Sequence, residues 1–206
     1  WETAGKAAIA RPAFDEGMVH LRHAIALLKP KVDGGDRNSL ERCLAMQTQL
    51  GFASMARNGW GDNRTKATLE QALELADRVG ETPLRFQILY GLMTTRYLRG
   101  DNVEAVHHGQ IFVDLAENAP DTAPAVVANR SFAISLMCNG QFKRAQPYFD
   151  RALDLFDPVL HNDLAQKYGQ DFGVATHGLI SVNLLMLGET RRAIKLVRER
   201  ERYAEA

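Results

Sequence analysis

Net charge is the first thing this sequence lacks. Lysine plus arginine and aspartate plus glutamate number 25 each, so there is no global basic field to hold a nucleic acid or an anionic membrane, although local patches are allowed. Cysteine is scarce too. Cys43 and Cys138 lie in apolar, helix-like stretches without CxxC spacing, which predicts buried free thiols in a reducing, cytoplasmic compartment. No apolar run approaches a bilayer span, and no charged-then-apolar leader opens the chain. A GxxxxGK[ST] loop is missing, and Gly59-Trp60-Gly61 lacks the third glycine of a dinucleotide loop. No nucleophile, base and orienter recur at catalytic spacing. These absences predict a protein that is not an enzyme and carries no cofactor or metal.

What is present is helical periodicity. With 206 residues, 46% of them apolar, the chain can bury a continuous core as one domain or one solenoid. The reference stretch is Val126 to Pro158, read as a helix, a turn at Asn139-Gly140 and a second helix. Small residues at Ala133, Ala145 and Ala152 alternate with Phe132, Leu136 and Phe149, so two helix faces pack small into large.

Further pairs can be phased against this one. Trp1, Gly5, Ala8, Gly17, Leu21 and Ala24 recur at matching spacing in the first, with Pro12 in the first turn of its second helix and Pro30 helping to stop that helix. Ser39 is expected to cap the next helix, which ends near Asn58 before the turn at Trp60. Its partner runs from about Asn63 to Val79, with Thr65, Leu69 and Ala72 in the places of Ala145, Phe149 and Ala152. Thr82-Pro83 opens a helix that ends at Gly100, and Asp101 or Asn102 is expected to cap the one that follows. After Pro158 the spacing lengthens, which requires an extra turn or short helix around His161 to Tyr168. Asp171 then caps a helix to Leu187, and Glu189-Thr190 starts the last one. There the alternating charges of Arg198 to Arg202 give i,i+4 pairs.

This 34-residue rhythm resembles the tetratricopeptide repeat. The resemblance implies an all-α, right-handed superhelix of about five antiparallel helix pairs. It places repeats at about 1–30, 39–80, 83–118, 122–158 and 171–204 of a single domain, 1–206. It also implies partner binding rather than chemistry. The segments Tyr168-Gly169-Gln170-Asp171-Phe172-Gly173-Val174, Leu184 to Gly188, Trp1-x-x-Ala4-Gly5, Gly91-Leu92 and Gly140-Gln141-Phe142 are similar to the C-terminal repeat region of bacterial signal-transduction ATPases. In that family a cyclase-like or DNA-binding module and a P-loop ATPase precede the repeats. The family's usual Trp near Leu185 and Pro at Phe172 are absent here. Because Trp1 opens the chain inside a helical pattern, the expectation is a piece of a longer cytoplasmic signalling protein.

In such repeats the first helix of each pair lines a concave groove. Its inward positions map to Arg85, Ile88, Leu92, Thr95 and Arg96, and to Val127, Arg130, Ile134, Met137 and Cys138. An apolar groove carrying three arginines suits an acidic or C-terminal peptide, from another protein or from other domains of the parent chain. Its alternative is pairing of those arginines with glutamates of neighbouring helices. A second functional reading is a small-molecule effector held in a pocket inside the superhelix. A weak homodimer through a terminal face is also expected. Glu16, His20 and His23 share a helix face and are the one arrangement geometrically suited to a metal, but no second helix supplies further ligands. The Tyr168 to Val174 motif is expected to be a joint, with Asp171 as cap and Gly169 or Gly173 allowing the turn.

Overall fold

The computed structural model describes residues 1–80, 82–168 and 171–204, without the side chains of 165, 166 and 199–204. Among the described residues the secondary structure is helical and contains no strand. The all-α class and its helix-pair organisation are those expected. Contacts divide the chain into two compact units, Trp1–Arg99 and Gly100–Ala206. The boundary falls in the turn between two helices assigned to one repeat from sequence.

The first unit contains α1 (Glu2–Ala10), α2 (Phe14–Asp33), α3 (Arg37–Asn58), α4 (Asn63–Val79) and α5 (Leu84–Leu98). Each packs on the next, and α5 also touches α3. One core cluster joins Met18 and Leu21 of α2 to Met46 and Leu50 of α3. Another centres on Leu69 of α4, with Leu44, Met55, Ile88 and Leu92 around it. Leu69 is fully buried because two glycines admit it: a Cβ on Gly51 would stand 2.5 Å from its Cδ2, and one on Gly91 2.9 Å from its Cδ1. These glycines serve close approach rather than backbone freedom. Trp60 lies edge-on to Tyr90, with ring centroids 6.0 Å apart, so it folds back on the core instead of standing out as an anchor.

The second unit contains α6 (Asn102–Ala116), α7 (Ala123–Cys138), α8 (Phe142–Leu155), α9 (Leu164–Tyr168), α10 (Phe172–Met186) and α11 (Thr190–Ala204). Helix α7 packs between α6 and α8, and α10 packs on α8, α11 and α7. Gly140, at φ +72°, closes α7 with the left-handed backbone that a side chain would strain. Phe149, at 0% exposure, takes the place that Leu69 holds in the first unit.

Several expected ends shift. The cap of α3 is Asp36, whose carboxylate accepts the Ser39 N–H at 3.2 Å; Ser39 lies inside the first turn. Pro30 does not stop α2, which continues to Asp33. The proline sits one turn from the end, and Ala26, whose carbonyl loses an amide partner to it, is exposed. Pro12 lies in the turn before α2 rather than in its first turn. Thr82 behaves as expected, its hydroxyl accepting the Leu84 N–H at 3.4 Å. No side-chain cap forms at α6. There Asn102 instead donates to the Cys138 carbonyl, 3.1 Å away at the end of α7. Of the two thiols, Cys43 is buried but Cys138 is exposed, because it ends α7 beyond the covered face.

The lengthened spacing after Pro158 is taken up by a tight turn and α9. The Asp157 carboxylate accepts the N–H groups of Val159 and Leu160 at 2.8 and 3.0 Å, which holds it below the usual carboxylate range. Inside the turn His161, only 5% exposed, accepts the Asp157 N–H at Nδ1 (3.0 Å) and meets the Thr122 hydroxyl at Nε2 (2.9 Å). With Nδ1 an acceptor, Nε2 carries the proton and donates to Thr122.

Candidate functional site: repeat surfaces and a cleft in the second unit

The residues expected to line a groove divide sharply by accessibility. Ile88, Leu92, Thr95 and Val127 are buried to within 1%, and Ile88 and Leu92 belong to the Leu69 cluster. Ile134 is also buried. Their apolar surface is consumed by packing within the chain. Arg85 keeps 24% of its side chain exposed and pairs with an acid of the neighbouring helix at 2.8 Å, but with the aspartate Asp77 of α4 rather than a glutamate. Arg96 and Met137 are half-buried, and Cys138 is exposed.

Arg130 is 3% exposed. Its guanidinium lies 4.8 Å above the Phe172 ring centroid, and Phe172 meets Tyr168 edge-on at 5.4 Å. Stacking on an aromatic face is a common use of a partly desolvated guanidinium. This arginine therefore joins α7 to the Tyr168 motif. Asp171 caps α10 as expected, accepting the Val174 N–H at 2.8 Å. Gly173 is buried, and Gly169 lies outside the described residues. The same is true of the side chains of residues 199–202 in the alternating charge run.

The histidine candidates have structural surroundings. Trp1 packs on His20 and His23, with ring centroids 5.1 and 4.5 Å apart, and His20 Nε2 stands 3.5 Å from the Glu16 carboxylate. Among the described residues no group of three or more His, Cys, Asp or Glu side chains could hold a metal ion. His107 and His108 meet edge-on at 5.3 Å. No described helix is long and apolar enough to cross a membrane.

What the sequence reading did not find is a cleft of about 610 Å³ in the second unit, between the end of α6, the 119–122 linker, α7 and α8. Its origin is visible when the two units are laid in the same repeat register. Gln47 stands four residues before Gly51 and Asn129 four before Ala133, so they occupy equivalent places, as Trp1 does before Gly5. With Thr65 matched to Ala145, Gln71 corresponds to Arg151 and Thr68 to Tyr148.

In the first unit Gln47 spans the slot. Its amide donates to the Thr68 carbonyl at 3.2 Å and to Gln71 Oε1 at 2.9 Å. In the second, the shorter Asn129 turns back and donates to Ala125 O of its own helix at 2.8 Å. Among the described residues no side chain bridges to Arg151, and the slot stays open. Tyr148 is held upright against Phe132, ring centroids 4.6 Å apart. Thr122, on the rim, is tied to His161. The signal in the sequence was the shorter Asn129 and the charged Arg151 standing where the first unit has Gln47 and Gln71.

No protein-family model matches the chain, and no curated protein sequence matches it. Solved structures do. A Podosopora anserina protein of kinesin-light-chain type with nearly identical TPR-like repeats is similar over 90% of this chain and 95% of its own. In a point-variant form of that protein the TM-score is 0.58 at 17% identity; a second structure of those repeats gives 0.55 at 16%. BtubC (BKLC) from P. vanneervenii is similar over 92% of this chain and 90% of its own, with a TM-score of 0.53 at 14% identity. The likeness supports a TPR-like helical-repeat fold.

Proposed function

We propose that this chain is a protein-interaction segment, binding a peptide or protein partner on the surface of its helix pairs and carrying no catalytic centre of its own. The observation that supports the reading is the fold. Helix pairs of this type, similar over 90% of the chain to TPR-like repeats, offer extended surfaces built from rigid elements, which suit binding better than chemistry. The accessible members of the expected contact set are the first-choice contacts: Arg85 and Arg96 on the first unit, and Met137 on the second. The buried members, Ile88 and Leu92 in the first unit and Arg130 and Ile134 in the second, support them from within each unit. An acidic segment would compete with Asp77, itself 62% exposed, for the half-buried Arg85.

The family resemblance in sequence supports a setting in a cytoplasmic bacterial signalling protein with a P-loop ATPase module, where the partner is another protein or a neighbouring domain. A terminal-face homodimer belongs to the same reading. The cleft in the second unit is open and carries charged side chains, which fits a partner segment better than an enclosed effector.

The test is fluorescence anisotropy with a labelled acidic hexapeptide and the intact chain, comparing wild type with R85E/R96E. Loss of binding by about tenfold or more with unchanged helicity is expected. Equal binding by both proteins overturns the assignment.

A further inference from the structure

We propose that the cleft between α6, α7 and α8 is a second binding site, for a short extended peptide segment carrying one cationic and one anionic side chain. It rests on the interaction-segment reading and names a different surface and chemistry from the α5 arginines. Three observations carry it. First, the charges on the two walls are opposite and uncompensated. Arg151 on the α8 wall lines the cleft opposite two acids, Glu117 at the end of α6 and Asp121 of the linker; the Asp121 carboxylate accepts only the Ala123 N–H, and the Arg151 and Glu117 side chains make no ion pair or hydrogen bond among the described residues. A ligand of single charge is repelled by one wall, whereas a mixed segment satisfies both.

Second, the floor carries a polar group positioned for a main chain. Asn129, 5% exposed, spends its amide N–H on Ala125 O, which leaves its carbonyl oxygen as an acceptor for a ligand N–H. Tyr148 and Leu155 also line the cleft and suit an aliphatic residue between the two charges. Third, the opening is absent from the equivalent α3/α4 slot, which is spanned by Gln47 and Gln71 at 2.9 Å. A cleft of about 610 Å³ lies within the range of about 300 to 1,000 Å³ typical of small-ligand sites, which suits a few residues of extended chain. It is too small for a folded domain.

The experiment is an NMR titration of the intact chain with three capped hexapeptides sharing a Leu-Ala centre. Their ends carry one Lys and one Asp, two Lys, or two Asp. The mixed peptide is expected to shift the amides of Glu117, Asn129 and Arg151 and to bind about tenfold more tightly than either like-charged peptide. R151E and E117R should each weaken it about tenfold. The double reversal R151E/E117R should recover most of the loss when the Lys and Asp ends are exchanged. N129Q/R151Q, which rebuilds the Gln47–Gln71 bridge, should abolish binding while raising the melting temperature.

Equal affinity for all three peptides, shifts confined to other helices, or no binding at several millimolar would overturn the proposal. Because the readout is local to α6, α7 and α8, failure of the acidic-peptide test at Arg85 and Arg96 leaves this result independent.

Discussion

The α3/α4 slot and the α7/α8 slot occupy the same repeat position and have opposite fates. In the first, Gln47 crosses to Gln71 and to the Thr68 carbonyl. In the second, Asn129 folds onto its own helix, and a charged arginine stands where the glutamine would receive it. One methylene and one charge separate a slot closed by hydrogen bonds from an open cleft. In these two slots the small and large apolar positions set the packing, whereas a neighbouring polar position decides whether the slot is bridged or open.

The strongest way to probe this contrast is through the apolar residues common to both slots. Phe149→Ala should cost about 3 to 5 kcal/mol and Leu69→Ala about 2 to 5 kcal/mol, since both are fully buried. Urea denaturation followed by circular dichroism checks this, and a loss below about 1 kcal/mol at either would contradict the packing described. Gly51→Ala comes next. Its Cβ would press on Leu69 Cδ2 at 2.5 Å, an overpacking expected to cost about 1 to 3 kcal/mol. Leu69→Val should then recover part of the loss in the Gly51→Ala background, because the clash is with a leucine methyl.

Smaller effects separate the polar designs. Gln47→Ala removes the bridge and should cost about 1 kcal/mol, whereas Asn129→Ala loses only a bond within one helix and should cost less. Comparing their melting temperatures measures the asymmetry directly. Asp171→Ala should cost about 1 kcal/mol through loss of the α10 cap. The gain from N129Q/R151Q is expected at about 0.5 to 1 kcal/mol.

The smallest effect is one of pH at α4. Hydrogen bonds from the Arg64 side chain and backbone lower the pKa of Asp62 to about 2. A depressed carboxyl stabilises the fold fully above the unfolded value, about 3.9, and loses that contribution as pH falls through about 2. Asp62→Asn should therefore lower stability in the neutral region, leave it little changed below about pH 2, and so flatten the acid limb between those values. A carbon-detected carboxyl titration of Asp62 with a midpoint near the ordinary value of about 3.9 would contradict it.

Helix pairing was legible because its causes are local and periodic. Leu69 and Ala72 recur at the spacing of Phe149 and Ala152, and Gly51 matches Ala133 once the longer turn after α3 is allowed for; no other secondary structure buries such a pattern. Asp171 and Thr82 were legible as caps because a short acceptor before an apolar run has few other uses. Ser39 misled, since two candidate caps three residues apart read alike; Asp36 caps the helix while Ser39 occupies its first turn. Pro30 misled because a proline one turn from a helix end sacrifices only the amide bond to an exposed position. The groove assignment treated repeat position as a measure of exposure. Burial, however, depends on neighbouring helices, and these cover Ile88, Leu92 and Ile134.

By itself, then, the sequence determined the all-α class, the helix pairs and their close-packing residues, since periodicity, small residues and caps act within one or two helices. Tertiary structure alone decided which polar side chains reach a partner. Gln47 finds Gln71 across 24 residues, His161 finds Thr122 across 39, and Arg130 finds the Phe172 ring. These pairings depend on where separate helices come to rest to within an ångström, a quantity that no local pattern contains. The cleft at Asn129 follows from that same placement: an amide too short to cross a gap whose width is set by the neighbouring segments of chain.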